Sequence, residues 1–255
     1  MARYGLANHV FVCRNEEYIV VLDVRQDRYS TFEAAQTAAL RVALPGWPAS
    51  APDDGAPAAA VDKIAAQFLE QGWLLEEPRE SKEATPVRIP APEAELTEGG
   101  GPRSLPGPRS LPGPRSLQGP ARSPVKIGPG MVFSFVAASL FAKFAQRFWS
   151  LERVINRVAR RKATRGASER FDLERARQLV AAFLRMRVFL FSTRDECMHD
   201  SLAVVEFLAR YGLYPNWVFG VRARPFEAHC WIQHGGVVFN DSVDEVGSFV
   251  PIMVV

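Results

Sequence analysis

Two prolines in each full copy of a six-residue repeat divide this chain in two. The hexad GPRSLP occupies 101–106 and 107–112, and GPRSLQ follows at 113–118. Proline fixes φ and removes a backbone donor, and each copy offers one leucine, so stacking the copies buries little. The surrounding stretch from Pro78 to Pro129 is dense in Pro, Gly, Ser, Glu and Arg. Such a composition predicts extended, solvated chain. Residues 79–128 are therefore expected to form a flexible, disordered Pro/Gly-rich linker, and residues 1–78 and 129–255 must each build a core of their own. The array lacks the PxxP context with flanking aromatics that a proline-rich docking site uses.

Charge separates along the same boundaries. Residues 1–78 carry six basic and eleven acidic groups, residues 79–128 eight and five, and residues 129–255 seventeen and twelve. The whole chain is left at +3, a poor basis for nucleic-acid binding driven by bulk charge. Three cysteines, Cys13, Cys197 and Cys230, are too few for a disulfide framework and form no CxxC pair. They fit a reducing, cytoplasmic setting in which a single thiol is reactive. The opening residues reach Glu16 too soon for a signal-peptide core. The low-charge run from Pro129 ends at Lys143, short of the ~20 residues that span a bilayer, so no stable membrane insertion is expected.

The first 78 residues predict strands and then helices. HVFVCR (9–14), YIVVLDV (18–24) and DRYSTF (27–32) are rich in β-branched and aromatic residues between short polar turns, a three-stranded meander. A helical stretch is expected over Phe32–Leu44. A second helix runs through AAAVDKIAAQFLEQG, with Val61, Ile64, Ala65, Phe68 and Leu69 on one face, ends at Gly72, and precedes a closing β segment, Trp73–Leu75. No Cys–His pair, carboxylate pair or phosphate loop appears here, so this part reads as a binder.

The last 127 residues begin with helical segments, Met131–Ala163 and Phe171–Leu190. The cations Arg157, Arg160, Arg161, Lys162 and Arg165 read as a solvated helix end, where they complement the dipole. In STRDECMHDSLAVVEFLARYGL, Ser192, Thr193 or Asp195 can cap a helix that carries Cys197 in its first turn. Unpaired N–H groups and the positive end of the dipole favour a thiolate there. The acidic neighbours Asp195, Glu196 and Asp200 oppose it unless they point away.

NWVFGVR (216–222) then reads as a strand, and AHCWIQ (228–233) with VVFND (237–241) as a hairpin. A three-residue loop, His234-Gly235-Gly236, sets His229 opposite Asp241 at the ~4.5–5.5 Å of a cross-strand pair. A two-residue turn would send Asp241 to the other face, so an orienting role for Asp241 requires the longer loop. Cys on a helix start, with His and Asp on adjacent strands, has the logic of nucleophile, base and orienter. Strand alternation points Cys230 away from His229, and His199 stands roughly opposite Cys197 around the helix. A zinc site from Cys197, His199, His229 and Cys230 would need ligands from opposite faces, so no metal and no cofactor are expected.

The run from Cys197 to Asp241 resembles the B proteins of lasso-peptide biosynthesis, of the microcin J25 maturation type. The matching pieces are Cys197, Ser201-Leu202, Gly220-Val221-Arg222, Pro225-Phe226-Glu227-Ala228-His229-Cys230-Trp231 and Asn240-Asp241. The resemblance implies an α+β chain with a C-terminal transglutaminase-like (papain-like) cysteine peptidase domain over 129–255, whose catalytic residues would be Cys197, His229 and Asp241. It implies removal of the leader from a ribosomally made precursor and a partner cyclase, ATP-dependent and asparagine-synthetase-like, that closes the macrolactam. Residues 1–78 resemble a winged-helix-like leader-recognition domain, in which the leader adds as a strand beside the last helix. The groove residues would be Asp27, Tyr29, Thr31 and Phe68. Two other readings share the same residues: a thiol-triad acyl or amine transferase, and a non-catalytic scaffold that presents the precursor.

Overall fold

The computed structural model describes residues 4–48, 58–76, 81–96, 126–165, 171–187 and 197–255. The GPRSLP array and the capping candidates Ser192, Thr193 and Asp195 lie outside the described residues.

The N-terminal part begins with β1 (Gly5–Ala7), followed by the expected meander β2 (Val10–Asn15), β3 (Tyr18–Asp23) and β4 (Arg28–Glu33) in the order β2-β3-β4. Its registers run from Val10 opposite Asp23 and Tyr18 opposite Glu33. The expected helix at 32–44 is broken into two single turns, α1 (Ala34–Thr37) and α2 (Leu40–Ala43). Helix α3 (Ala58–Glu70) ends where expected, with Gly72 at φ +70°, a conformation that glycine adopts without strain. β5 (Leu74–Leu75) then pairs with β1, whose strand character the sequence did not reveal.

Both faces of the meander are covered. Val10, Val12, Ile19 and Val21 pack inward with Leu40, Trp47, Phe68 and Trp73. The alternate residues Cys13, Val20, Leu22 and Val24 belong to the core of the C-terminal part. This explains the unbroken apolar run of β3, since a strand buried on one face only would alternate. The two parts are thus joined by apolar packing. Hydrogen bonds from Glu152 N to Val24 O (3.2 Å) and from Asn15 Nδ2 to Val221 O (3.0 Å) reinforce it.

The expected linker requires correction at its start. Residues 81–96 carry β6 (Ser81–Lys82), paired with β1, and β7 (Ala94–Glu95), paired in parallel with the C-terminal sheet. Ala84 is buried, and the Pro90 carbonyl accepts a hydrogen bond from Gln233. These contacts run through backbone groups and small residues, which leave no hydrophobic periodicity to read.

The C-terminal part stacks α4 (Pro129–Phe148), α5 (Leu151–Arg165), α6 (Leu173–Arg187) and α7 (Cys197–Ala209) beside a five-stranded sheet. Besides β7, its strands are β8 (Asn216–Arg222), β9 (Glu227–His234), β10 (Val237–Val238) and β11 (Val250–Val254), with the single turn α8 (Val243–Val246) before the last. Their order is β11-β8-β9-β10-β7. α7 is buried nearly all round against α4, α6 and the sheet, which fixes the position of its first residue. α4 continues past Lys143 and is long and apolar enough, by length and composition, to cross a membrane. Phe135, Ala138, Ala142 and Ala145 on it are buried, while Phe133, Leu140, Phe144 and Phe148 are exposed.

The basic cluster on α5 is a solvated helix end only in part: Arg160 and Arg165 are exposed, whereas the other three cations are engaged. Arg157 and Arg161 reach the buried Glu206 of α7 at 3.5 and 2.9 Å. Lys162 donates to Asn216 Oδ1 at 2.5 Å and to the Val255 carbonyl at 3.1 Å. Glu206 lies 45 residues beyond Arg161 in the sequence, too far for local pattern reading to find.

Candidate active site

Cys197 is the first described residue of α7, and Ser201, one turn on, donates to its carbonyl at 2.6 Å. Asp200, one of the acids expected to oppose a thiolate, is tied to Arg187 and faces His199. His199 is buried, with Nε2 3.2 Å from the Ser139 carbonyl on α4, and takes no part beside Cys197. Among the described residues no group of three or more His, Cys, Asp and Glu converges as metal ligands.

His229 lies on β9 opposite Gly220 of β8. A Cβ at Gly220 would stand 2.7 Å from the Trp231 ring, so only glycine lets that indole lie across the strand. The His229 ring rests against Phe249, 5.1 Å between centroids. Its Nε2 is 2.5 Å from Asp241 Oδ2, and Asp241 Oδ1 accepts from the Ser242 N–H at 2.8 Å. With Nε2 committed to the carboxylate, Nδ1 is the nitrogen left for Cys197.

This meeting of His229 and Asp241 arises in a different way from the sequence expectation. The hairpin loop has two residues, not three: Val237 pairs with His234 and Val238 with Gln233, and Gly235 holds φ +57°. Regular pairing persists only to Phe239, whose N–H donates to Ile232 O. The Ile232 N–H then goes to the Asn240 side-chain oxygen at 2.8 Å instead of to backbone. The chain leaves the ladder there, and the bend before α8 returns the Asp241 carboxylate to His229. Strict alternation, on which the expectation relied, ends one residue before it mattered.

Cys230 is also closer than expected. Its side chain does lie on the other face of β9 from His229, but Cys197 stands at the helix end, where residues from both faces reach it. The Cys230 and Cys197 sulfurs are 3.7 Å apart.

The electrostatics single out Cys197. Its pKa falls to about 4: the hydrogen bond from Cys230 contributes most, burial opposes it, and the His229 hydrogen bond and charge add to the lowering. For His229, burial alone lowers the pKa, but hydrogen bonds to Asp241 and Cys197 and their charges outweigh it and raise it to about 10. Burial pushes the third thiol, Cys13, up to about 12. A thiolate–imidazolium pair at neutral pH follows, with Asp241 fixing the imidazole.

A cleft of about 330 Å³ opens beside the thiol. Its walls include Gln146 and Trp149 at the end of α4, Leu151 and Val154 of α5, and Met198, Phe219 and Ala228. Asp27 and Tyr29 of the N-terminal part complete it. Of the four expected groove residues, these two therefore share the pocket of Cys197 and His229. Thr31 is exposed on β4, an edge strand of its sheet, on the same face as Tyr29. Phe68 requires correction: it is wholly buried between Phe32, Trp47 and Trp73 and offers no surface to a ligand. Its helical periodicity marked core, and nothing local distinguished core from groove. Gln146 and Trp149 escaped the sequence reading because α4 carries no recognisable motif there.

Residues 138–254 match the family model of the transglutaminase-like superfamily. The C-terminal part carries a transglutaminase-like domain. That superfamily includes cysteine peptidases and acyltransferases, and its domains are typically cysteine-based enzymes. No curated protein and no solved structure matches the chain. The matched range of the transglutaminase-like domain spans Cys197, His229 and Asp241.

Proposed function

We propose that this chain is a cysteine leader peptidase of lasso-peptide biosynthesis, with Cys197 as nucleophile, His229 as general acid and base, and Asp241 as its orienter. The Cys197 thiolate adds to the scissile carbonyl, and N–H groups at the start of α7 stabilise the oxyanion. The His229 imidazolium protonates the departing amine as the C–N bond breaks, leaving a thioester. Neutral His229 then takes a proton from water, the hydroxide attacks the thioester, and the leader departs as a carboxylic acid with Cys197 restored. No cofactor enters these steps.

The observation that carries the reading is the shared pocket: Asp27 and Tyr29 of the N-terminal part stand with Cys197 and His229 around one cleft. A leader strand added along β4, in a winged-helix-like recognition mode, would deliver its C-terminal end to the thiolate. The freed core peptide would pass to an ATP-dependent, asparagine-synthetase-like cyclase in the cytoplasm, where Cys197 stays reduced.

An acyltransferase would form the same thioester and differ only in the acceptor. Cleavage of a lasso-precursor peptide in ¹⁸O-labelled water separates the two. A peptidase places one ¹⁸O in the new leader carboxyl; a transferase yields a leader carrying an amine and no label.

A further inference from the structure

We propose that Cys230 is a positioning residue for the nucleophile: its S–H donates to the Cys197 sulfur and holds the thiolate in place beside His229. This rests on reading Cys197 as the reactive thiol.

The geometry leaves Cys230 that role. Ser201 Oγ lies 3.2 Å from Cys230 Sγ, but its single proton is committed to the Cys197 carbonyl at 2.6 Å. The Trp217 indole N–H donates into the same oxygen at 2.9 Å. Ser201 is thus clamped between Trp217 and the first turn of α7, and with its own proton spent it can only accept from Cys230. The Cys230 S–H therefore has two acceptors within reach, the neutral Ser201 oxygen and the Cys197 thiolate, and the charge makes the thiolate the stronger one. The nearest thiol proton to Cys197 Sγ belongs to Cys230, 3.7 Å away. Which sulfur bears the charge follows from burial. Cys230 is enclosed, and burial together with the neighbouring Cys197 strongly disfavours its ionised form. Cys197 faces the His229 imidazole and the cleft. A donor on one side and an imidazolium on the other hold the thiolate in one orientation at the wall of the cleft. The same contact is the largest influence lowering the Cys197 pKa.

The test titrates the thiolate directly, by absorbance near 240 nm and by iodoacetamide alkylation against pH, with peptide mapping of the alkylated residue. Cys13 and Cys230 stay protonated below pH 8, so the full-length chain reports Cys197 alone. Cys230→Ala should raise the midpoint by about one unit or more, the effect of a lost hydrogen bond to a charged group. Cys230→Ser retains a donor with a shorter reach and should titrate between the two; it also serves if the alanine variant folds poorly. Cleavage by Cys230→Ala should fall more steeply at pH 5 than at pH 8. Midpoints of both variants within a few tenths of a unit of the parent would overturn the proposal, as would alkylation mapping to Cys230 in the parent. The titration uses no peptide, so its result is independent of whether Cys197 cuts one.

Discussion

His229 Nε2 and Asp241 Oδ2 stand 2.5 Å apart even though the hairpin joining them, continued in register, would put residue 242 opposite His229. Asn240 makes this possible by replacing a backbone acceptor with its side chain. Asn240→Ala should therefore leave the Ile232 N–H without that partner and destabilise the fold by about 1–3 kcal/mol. Thermal unfolding and cleavage assays on the same samples should both register the change; a variant indistinguishable in both would remove Asn240 from the account.

Asp241→Asn should slow cleavage by about a hundredfold or more, yet less than Cys197→Ala or His229→Ala, because it disturbs only the tautomer and orientation of the imidazole. Single-turnover kinetics would measure the order. An unchanged rate in Asp241→Asn would mean that another group orients His229.

The pKa directions set a pH window. The reactive pair requires Cys197 deprotonated and His229 protonated. Activity should rise as pH increases through about 4, where the depressed thiol ionises, and fall as pH increases through about 10, where the raised imidazolium loses its proton. An ordinary thiol and imidazole would instead leave little ion pair at any pH. A kcat/KM profile that gains activity only above pH 8 would contradict the thiolate assignment.

Docking of the N-terminal meander makes the interface, and not the tether, the element that matters for delivery. Deleting residues 101–112 should change cleavage by less than about twofold, since effective concentration varies weakly with tether length. Leu22→Asp, which buries a charge in the core shared by both parts, should lower it by about tenfold or more. Size-exclusion profiles and peptide kinetics on both variants compare them directly, and the reverse order would restore the tether as the controlling element.

Glu206→Ala removes the buried carboxylate that Arg157 and Arg161 share. The two guanidiniums left behind are partly exposed and can turn to water, so the loss is that of charge-assisted hydrogen bonds, about 1–3 kcal/mol, and denaturant unfolding should register it. An unchanged midpoint would show that the pairing is incidental.

What the sequence disclosed depended on the range of the physics involved. The meander, α3 with Gly72 and the helical spacing of α7 were legible because period and punctuation are local. The burial of β3 on both faces was written in the run Ile19–Leu22, yet the partner that covers its second face lies more than a hundred residues away. Residues 81–96 were misread because backbone pairing by Ser81, Pro90 and Ala94 leaves no side-chain pattern. His229 and Asp241 were found, but for a wrong register, since a side chain standing in for backbone at Asn240 cannot be seen in alternation. Cys230 was set aside by a face argument that holds for the strand and fails at the helix end.

The central claim, that Cys197 severs a leader peptide, is tested most directly by mass spectrometry of a lasso-precursor peptide incubated with the full chain and with Cys197→Ala. The expected result is two fragments, leader and core, with the intact chain and only uncut precursor with the variant. Equal cleavage by Cys197→Ala, or an uncut precursor that the intact chain demonstrably binds, would contradict it.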